Sequence, residues 1–132
     1  MRTQRGLIMP LNRRDIWDYC LSKPHAREDY PFGDDTLVFR VGDKIFALMG
    51  IDIETEEDEP RINLKCDPTL AIILRQTYPK SVLPGYHMNK THWNTVVSNG
   101  IIPDNEIQDM IDHSYDLIVK SLTKKQRTEL GL

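Results

Sequence analysis

The sequence predicts an α+β domain of two layers, in which helices pack on one side of an antiparallel sheet. Helical patterns occur near the start, middle and end of the chain, and the strand patterns lie between them in groups of three and two. Neither the strand–helix–strand alternation of parallel sheets nor an internal repeat is present. The predicted order is therefore helix, three strands, helix, two strands, helix. The 132 residues suit one domain, which we place at 11–132, after a mobile extension at 1–10.

The first helix is predicted from Arg13 to about Lys23. Asn12 is a favourable N-cap, and Ile16 and Cys20 recur at helical spacing before Pro24 ends the pattern. Residues 29–35 have the composition of a turn.

A β-hairpin follows, and it is the clearest local pattern in the chain. The strands Thr36–Val41 and Lys44–Met49 flank Gly42-Asp43, which suits a two-residue type II′ turn. Ile45–Met49 is apolar at every position, so both faces of this strand should be covered.

The middle of the chain predicts a strand and a helix. Residues 52–59 are too acidic for burial and form a solvated connection to the strand Arg61–Lys65. Asp67 and Pro68 begin a helix that Pro79 ends, with Asp67 as its cap. Its predicted inner stripe contains Leu70, Ile73, Leu74 and Thr77.

The last part predicts two strands and two helices. Residues 81–86 and 91–98 are strand candidates around a turn at 88–90. Asp104 caps a long helix, and Thr123 and Gln126 form a capping box for a short terminal helix closed by Gly131. The predicted core stripe of the long helix is Ile107, Met110, Ile111, Ser114 and Ile118, with Leu122 near its end.

Composition excludes several classes of protein. No apolar run approaches the roughly 18 residues of a membrane span, so we expect no membrane partner. The N-terminus lacks the apolar stretch and cleavage site of a signal peptide, which favours the cytoplasm. Cys20 and Cys66 are two isolated cysteines, typical of reduced thiols rather than a disulfide framework or a zinc site.

Charge is separated along the sequence although the net value is only −3. Residues 28–59 contain two basic and eleven acidic groups, whereas residues 60–102 contain five basic groups and one acidic group. The basic stretch could attract phosphate, or its members could pair with the acidic hairpin; the counts leave both interpretations open.

The segment Pro84–Val97 has the richest side-chain chemistry. It combines two imidazoles, an ammonium group, carboxamides and large aromatic rings, a mixture suited to contacting a polyanion. The alternative is that Trp93 and Val97 belong to the core and that Asn89 only accommodates a turn. The candidate nucleic-acid-binding residues are Arg61, Lys65, Arg75, Lys80, His87, Asn89, Lys90, His92 and Asn94.

Catalytic and metal sites have little support in the sequence. His87 and His92 lack a third ligand at suitable spacing, so we expect no metal and no other cofactor. Cys66 with either histidine could form a nucleophile and base, but a buried structural thiol also explains it. Asp67 and Asp104 are explained by capping. No phosphate-binding glycine loop, GxSxG or HExxH motif occurs, so we expect no enzyme.

Several motifs together resemble the MmcQ/YjbR family of small bacterial proteins, over residues 11–122. The matching strings are Tyr30-Pro-Phe-Gly33, Leu64-Lys-Cys-Asp-Pro68, Leu74-Arg75, Tyr78-Pro79, Pro84-Gly-Tyr-His-Met-Asn-Lys90, His92-Trp-Asn-Thr95, Pro103-Asp104 and Asp112-x-Ser-Tyr115. The resemblance implies a two-layer α+β fold likened to secretion chaperones and frataxin-like proteins. It also implies DNA binding, by likeness to a phage transcription factor domain that grips the duplex with two β-wings. The acidic run 54–59 departs from that picture, because it would repel phosphate at the tip of a wing.

The leading hypothesis from the sequence is a DNA-binding protein, in a regulatory role, without catalytic activity. The alternative is a protein-binding or chaperone-like module that docks a partner or a second copy of the chain, suggested by the doubly apolar strand 45–49. A third class is a small-molecule site built from Tyr86, His87, His92 and Cys66.

Overall fold

The computed structural model describes residues 10–50, 59–85 and 88–132. In chain order the elements are α1 Arg13–Leu21, β1 Arg27–Asp29, β2 Thr36–Val41, β3 Lys44–Gly50, β4 Arg61–Lys65, α2 Pro68–Thr77, β5 Val82–Pro84, β6 Trp93–Val97, α3 Asp104–Ser121 and α4 Lys124–Leu130.

The six strands form one antiparallel sheet in the order β1-β2-β3-β4-β6-β5. The long helix α3 lies across β2, β3 and β4. Its buried stripe includes every residue predicted for it, together with Tyr115, which the prediction lacked. The α+β prediction, with helices against an antiparallel sheet, is confirmed.

One strand was not predicted. Residues 27–29 are charged, and Asp29 is the first residue of the predicted turn, but these residues pair with Val38–Arg40 as the edge strand β1. The Arg40 guanidinium lies 2.8 Å from the Asp29 carboxylate and joins the two strands. Tertiary pairing thus overrides a local composition that disfavours strands.

The predicted hairpin is present with its two-residue turn. Val41 pairs with Lys44, and Gly42 has a φ of 62°, a conformation that glycine adopts without steric cost. A β-bulge between Phe39 and Arg40 shifts the register of β2 against β3. Phe46–Met49 is buried throughout, as a strand covered on both faces should be.

Helix ends follow the predicted caps at three positions. Asn12 and Thr123 each form a reciprocal capping box with the residue three positions on. The Asp67 carboxylate accepts from the amides of Thr69 and Leu70, with Pro68 in the first turn. These contacts satisfy amide groups that a helix cannot pair internally.

The predicted cap at Asp104 is wrong. Pro103 is the N-cap of α3 and makes no side-chain cap hydrogen bond. The Asp104 carboxylate instead accepts from the Leu11 amide at 3.2 Å, so it ties the start of the described chain to α3.

The predicted inner stripe of α2 is also only partly right. Ile73 is 50% exposed and Thr77 is exposed, whereas Ala71 is the one buried residue of this helix. Leu70 and Leu74 are half-buried. The helix is therefore rotated from the predicted position, and it buries little apolar surface.

Some predictions fall on residues outside the described ranges. They are the mobile extension, apart from Pro10, and the acidic connection up to residue 58. Tyr86 and His87 lie outside as well.

Ser114 of α3 connects the helix to the sheet where β3 and β4 separate. Ala47 pairs with Leu64, so the next opposed residues would be Phe46 and Lys65. The Ser114 hydroxyl lies between them: it donates to the Phe46 carbonyl at 2.6 Å and accepts from the Lys65 amide at 2.9 Å. One fully buried side chain therefore satisfies two backbone groups.

Replacing Ser114 with alanine should lower the free energy of unfolding by about 1–3 kcal/mol, because two buried backbone groups lose their partner. Urea denaturation followed by circular dichroism measures this loss. Ser22→Ala is the control: its hydroxyl also bonds a carbonyl, that of Tyr19, but the residue is exposed. Equal, small effects of the two substitutions would contradict the role of Ser114.

Candidate functional site

The connection between β5 and β6 is organised around Asn89. Its side-chain oxygen accepts from the Thr91 amide at 2.9 Å, and its carbonyl accepts from the amides of His92 and Trp93. The Gly85 amide donates to the Trp93 carbonyl at 2.9 Å. A Cβ at Gly85 would lie 2.8 Å from the Cβ of Trp93, so this approach requires glycine.

Arg75 of α2 anchors this connection to the helix layer. Its guanidinium donates to the Asn94 side-chain oxygen at 2.7 Å, to the Trp93 carbonyl at 3.2 Å and to the Lys90 carbonyl. All three acceptors lie in β6 or just before it. Arg75 therefore has a structural role that occupies its Nε and Nη2 donors.

Asn94 is 2% exposed and lies on the face of β6 that meets the helices, opposite Leu64. Its oxygen faces Arg75, since a guanidinium offers only donors. Its Nδ2 group, also buried, has no hydrogen-bond partner among the described residues. Asn94 is thus not an exposed contact for nucleic acid.

The two faces of β6 meet different parts of the structure. Asn94 and Val96 face the core, and Trp93, Thr95 and Val97 point to the other side of the sheet. Trp93 is half-buried there, opposite Lys65. The alternative that Val97 belongs to the core is right, since Val97 is 2% exposed, whereas Trp93 is only half-buried.

The remaining basic candidates form two groups along the sheet. Lys65, Lys90 and His92 lie at the Trp93 end of β6, where Lys65 pairs with Trp93. Arg61 lies at the other end of β6, where it is opposite Val97. Lys80 lies at the same end of β6, because the Val97 amide donates to the carbonyl of the next residue, Ser81. Four of these residues are exposed, namely Arg61, Lys80, Lys90 and His92, and Lys65 is half-buried.

These basic groups are largely free of acidic partners. None of Arg61, Lys65 and Lys80 has an ion pair within the described part of the chain. The Lys90 ammonium donates to the Gly85 carbonyl at 3.2 Å, a neutral partner that leaves its charge uncompensated. His87 lies outside the described residues.

Cys66 and His92 are neighbours through their backbones. The Cys66 amide donates to the His92 carbonyl at 2.8 Å, but the thiol is buried and the imidazole residue is exposed. Burial, and to a smaller extent the nearby Asp67 carboxylate, raise the pKa of the Cys66 thiol to about 11. The neutral thiol is a poor nucleophile at physiological pH.

His113 is a contributor that is absent from the predicted candidates. Its Nε2 accepts from the Asp67 amide at 3.1 Å and joins α3 to the start of α2. The signal was available, because Glu106, Asp109, Met110 and His113 recur at helical spacing beside the core stripe.

Two other classes of site are absent from the described residues. No group of three or more histidine, cysteine, aspartate or glutamate side chains there could hold a metal ion. No helix in the same ranges has the length and apolar character needed to cross a membrane.

The fold and its polar connection define a small α+β domain with an antiparallel sheet backed by helices. A family model described as YjbR matches residues 21–117. The chain belongs to the YjbR family.

Relatives of known sequence and structure support membership of this family. YbdF of Escherichia coli O157:H7 is 38% identical over 108 residues, covering 82% of this chain and 84% of that protein. YjbR of Escherichia coli K12 is 34% identical over 113 residues, covering 86% and 92%. The crystal structure of Deinococcus radiodurans DR2400, with a DUF419 domain, superposes with a TM-score of 0.83 at 39% identity, covering 92% of this chain and 89% of that one.

Alkylation should be slow at Cys66 in the native protein. With the pKa raised to about 11, the thiolate fraction at pH 8 is about a hundredfold below that of a free thiol. Iodoacetamide labelling followed by peptide mass spectrometry measures the rate at Cys66 separately from Cys20.

The contribution of the Cys66 thiol to the free energy of unfolding decreases as pH rises. Because the folded pKa lies above the unfolded value, folding retains the proton, and the associated stability is lost as pH rises from about 9 through 11. The labelling rate should rise about tenfold per pH unit over that range. Rapid labelling at pH 7 without unfolding would contradict a buried neutral thiol.

Proposed function

We propose that this chain is a non-catalytic, cytoplasmic DNA-binding protein that contacts phosphate through β4 and the connection between β5 and β6. The observation that carries the proposal is the separation of charge across the sheet. Arg61 and Lys65 alternate with the inward Ile62 and Leu64, so they project away from α3. On the other side of the sheet, α3 contains five acidic residues and one lysine.

The connection at Asn89 supports the proposal by fixing the position of exposed donors. Lys90 and His92 are exposed, and Arg75 and Asn89 hold the backbone on which they stand. A fixed donor loses less conformational freedom when it binds than a mobile one. The two free cysteines are buried and suit a reducing compartment such as the cytoplasm.

Four cations are available for phosphate contacts. Arg61, Lys65, Lys80 and Lys90 remain after Arg75 and Asn94 are assigned to the interior. Four contacts to double-stranded DNA correspond to a slope of log K against log salt of about −3.6.

Fluorescence anisotropy with a labelled duplex at several salt concentrations tests this proposal. The native protein should bind with a slope of about −3.6, and Arg61→Gln should weaken binding on all sequences alike and reduce the slope by about 0.9. Lys124→Gln is the matched control, since Lys124 is exposed on α4, away from β4. It should leave both values unchanged.

A salt-independent signal, or no binding at micromolar protein, would end the DNA proposal. The protein-binding alternative then gains support from α2, where Ile72 and Ile73 are adjacent and 54% and 50% exposed. A mass by light scattering of twice 15.4 kDa would favour self-association through such a surface.

A further inference from the structure

A cavity of about 200 Å³ lies between α2, α3 and the ends of β4 and β6. Asp109, which is exposed, is one of its lining residues, so the cavity opens to solvent between the two helices. Most of the lining is apolar and is formed by six side chains, namely Leu64, Cys66, Leu70, Leu74, Val96 and Met110.

Polar contacts at both ends hold α2 over the cavity. At the start of the helix, the Asp67 amide donates to His113 Nε2 at 3.1 Å. Just past its end, the Tyr78 hydroxyl donates to Glu106 Oε1 at 2.6 Å. Since Ala71 is the one buried residue of α2, these contacts fix the helix without filling the space beneath it.

Three of the polar lining residues are already engaged within the protein. The Asn94 oxygen accepts from Arg75, and the Asn94 Nδ2 group is buried out of reach of a ligand. Glu106 and His113 accept the two hydrogen bonds that hold α2. A strongly polar ligand group would therefore lose its hydration in the cavity without gaining an equivalent partner.

The remaining lining residues with titratable side chains add little charge to the interior of the cavity. Lys65 alternates with the inward Leu64 on β4, so its side chain projects away from α3. The exposed Asp109 remains in contact with water. Burial raises the pKa of the Cys66 thiol to about 11, so this thiol is neutral at physiological pH. The interior thus favours an uncharged ligand.

We propose that this cavity binds a small, uncharged apolar molecule slightly larger than a benzene ring. The size follows from the volume, since a cavity of about 150 Å³ lined by apolar side chains holds benzene. The driving force is the transfer of the ligand's apolar surface from water to the apolar lining. This inference does not depend on DNA binding, because the cavity is on the helix side of the sheet.

Toluene is the probe, with the methionine methyl groups as reporters. Met110 lines the cavity, and Met49 is buried in the core outside it, so Met49 serves as an internal reference. In methyl-¹³C spectra, toluene should shift Met110 saturably, with a Kd of the order of 1 mM, and leave Met49 in place. Benzamide and benzoate, which carry a polar group in place of the methyl group, should each bind at least about tenfold more weakly, because that group loses its hydration.

Substitutions on α2 test whether the cavity is the site. Leu74→Phe and Leu70→Phe each place a larger side chain in the lining, so each should abolish the saturable Met110 shift. Ile73→Phe is the matched control, because it adds the same ring on the exposed side of the same helix. It should leave toluene binding unchanged.

Three results would overturn the proposal. They are the lack of a saturable Met110 shift up to the solubility limit of toluene, binding of benzamide or benzoate as tight as that of toluene, and unchanged toluene binding in the two filling variants. If Leu74→Phe fails to fold, Leu70→Phe still decides whether the cavity is the site. The comparison of the three ligands in the native protein decides the ligand class without any substitution.

Discussion

The guanidinium of Arg75 is the contact on which the arrangement of α2, β6 and the preceding connection depends. It is half-buried, and it bonds one side-chain oxygen and two backbone carbonyls of that region. Removing this charge-assisted donor would leave Asn94 buried with neither end of its amide paired in the described part of the chain. Because α2 has little apolar burial, this contact and the hydrogen bond from the Tyr78 hydroxyl to Glu106 position its second half.

The same contact lies between an exposed segment of the chain and a cavity of about 200 Å³ lined in part by Leu70, Leu74 and Met110. On one side of Arg75, the backbone from Asn89 to Trp93 presents exposed polar groups. On the other side, Asn94 is held against the cavity beneath α2. Ser114 acts in a similar way at β4, since its hydroxyl fills the gap where β3 and β4 diverge and lets the strand end beside the cavity. Polar side chains, rather than apolar packing, thus shape this end of the sheet.

The sequence predicted those elements whose signals are local. The capping boxes at Asn12 and Thr123, the Gly42 turn and the buried stripe of α3 depend on residues a few positions apart. The edge strand β1 could not be predicted, because residues 27–29 are charged and form a strand only by pairing with β2.

The candidate site was predicted less well, because its contacts also join residues that are distant in the sequence. Arg75, Asn94 and Lys90 were chosen as polar and basic residues near the segment 84–97, and the structure does bring them together. Their separation along the chain, however, gave no sign that Arg75 would bond inward. The rotation of α2 that exposes Ile73, and the face of β6 that is buried, likewise depend on contacts between distant elements.

Amide hydrogen exchange at His92 and Trp93 in the Arg75→Ala protein tests the central role of this guanidinium most directly. Both amides donate to the Asn89 carbonyl in the connection that Arg75 holds. Their exchange should become at least about tenfold faster, while Gln76→Ala, an exposed change on the same helix, leaves it unchanged. Unaltered exchange at both amides in Arg75→Ala would contradict the account.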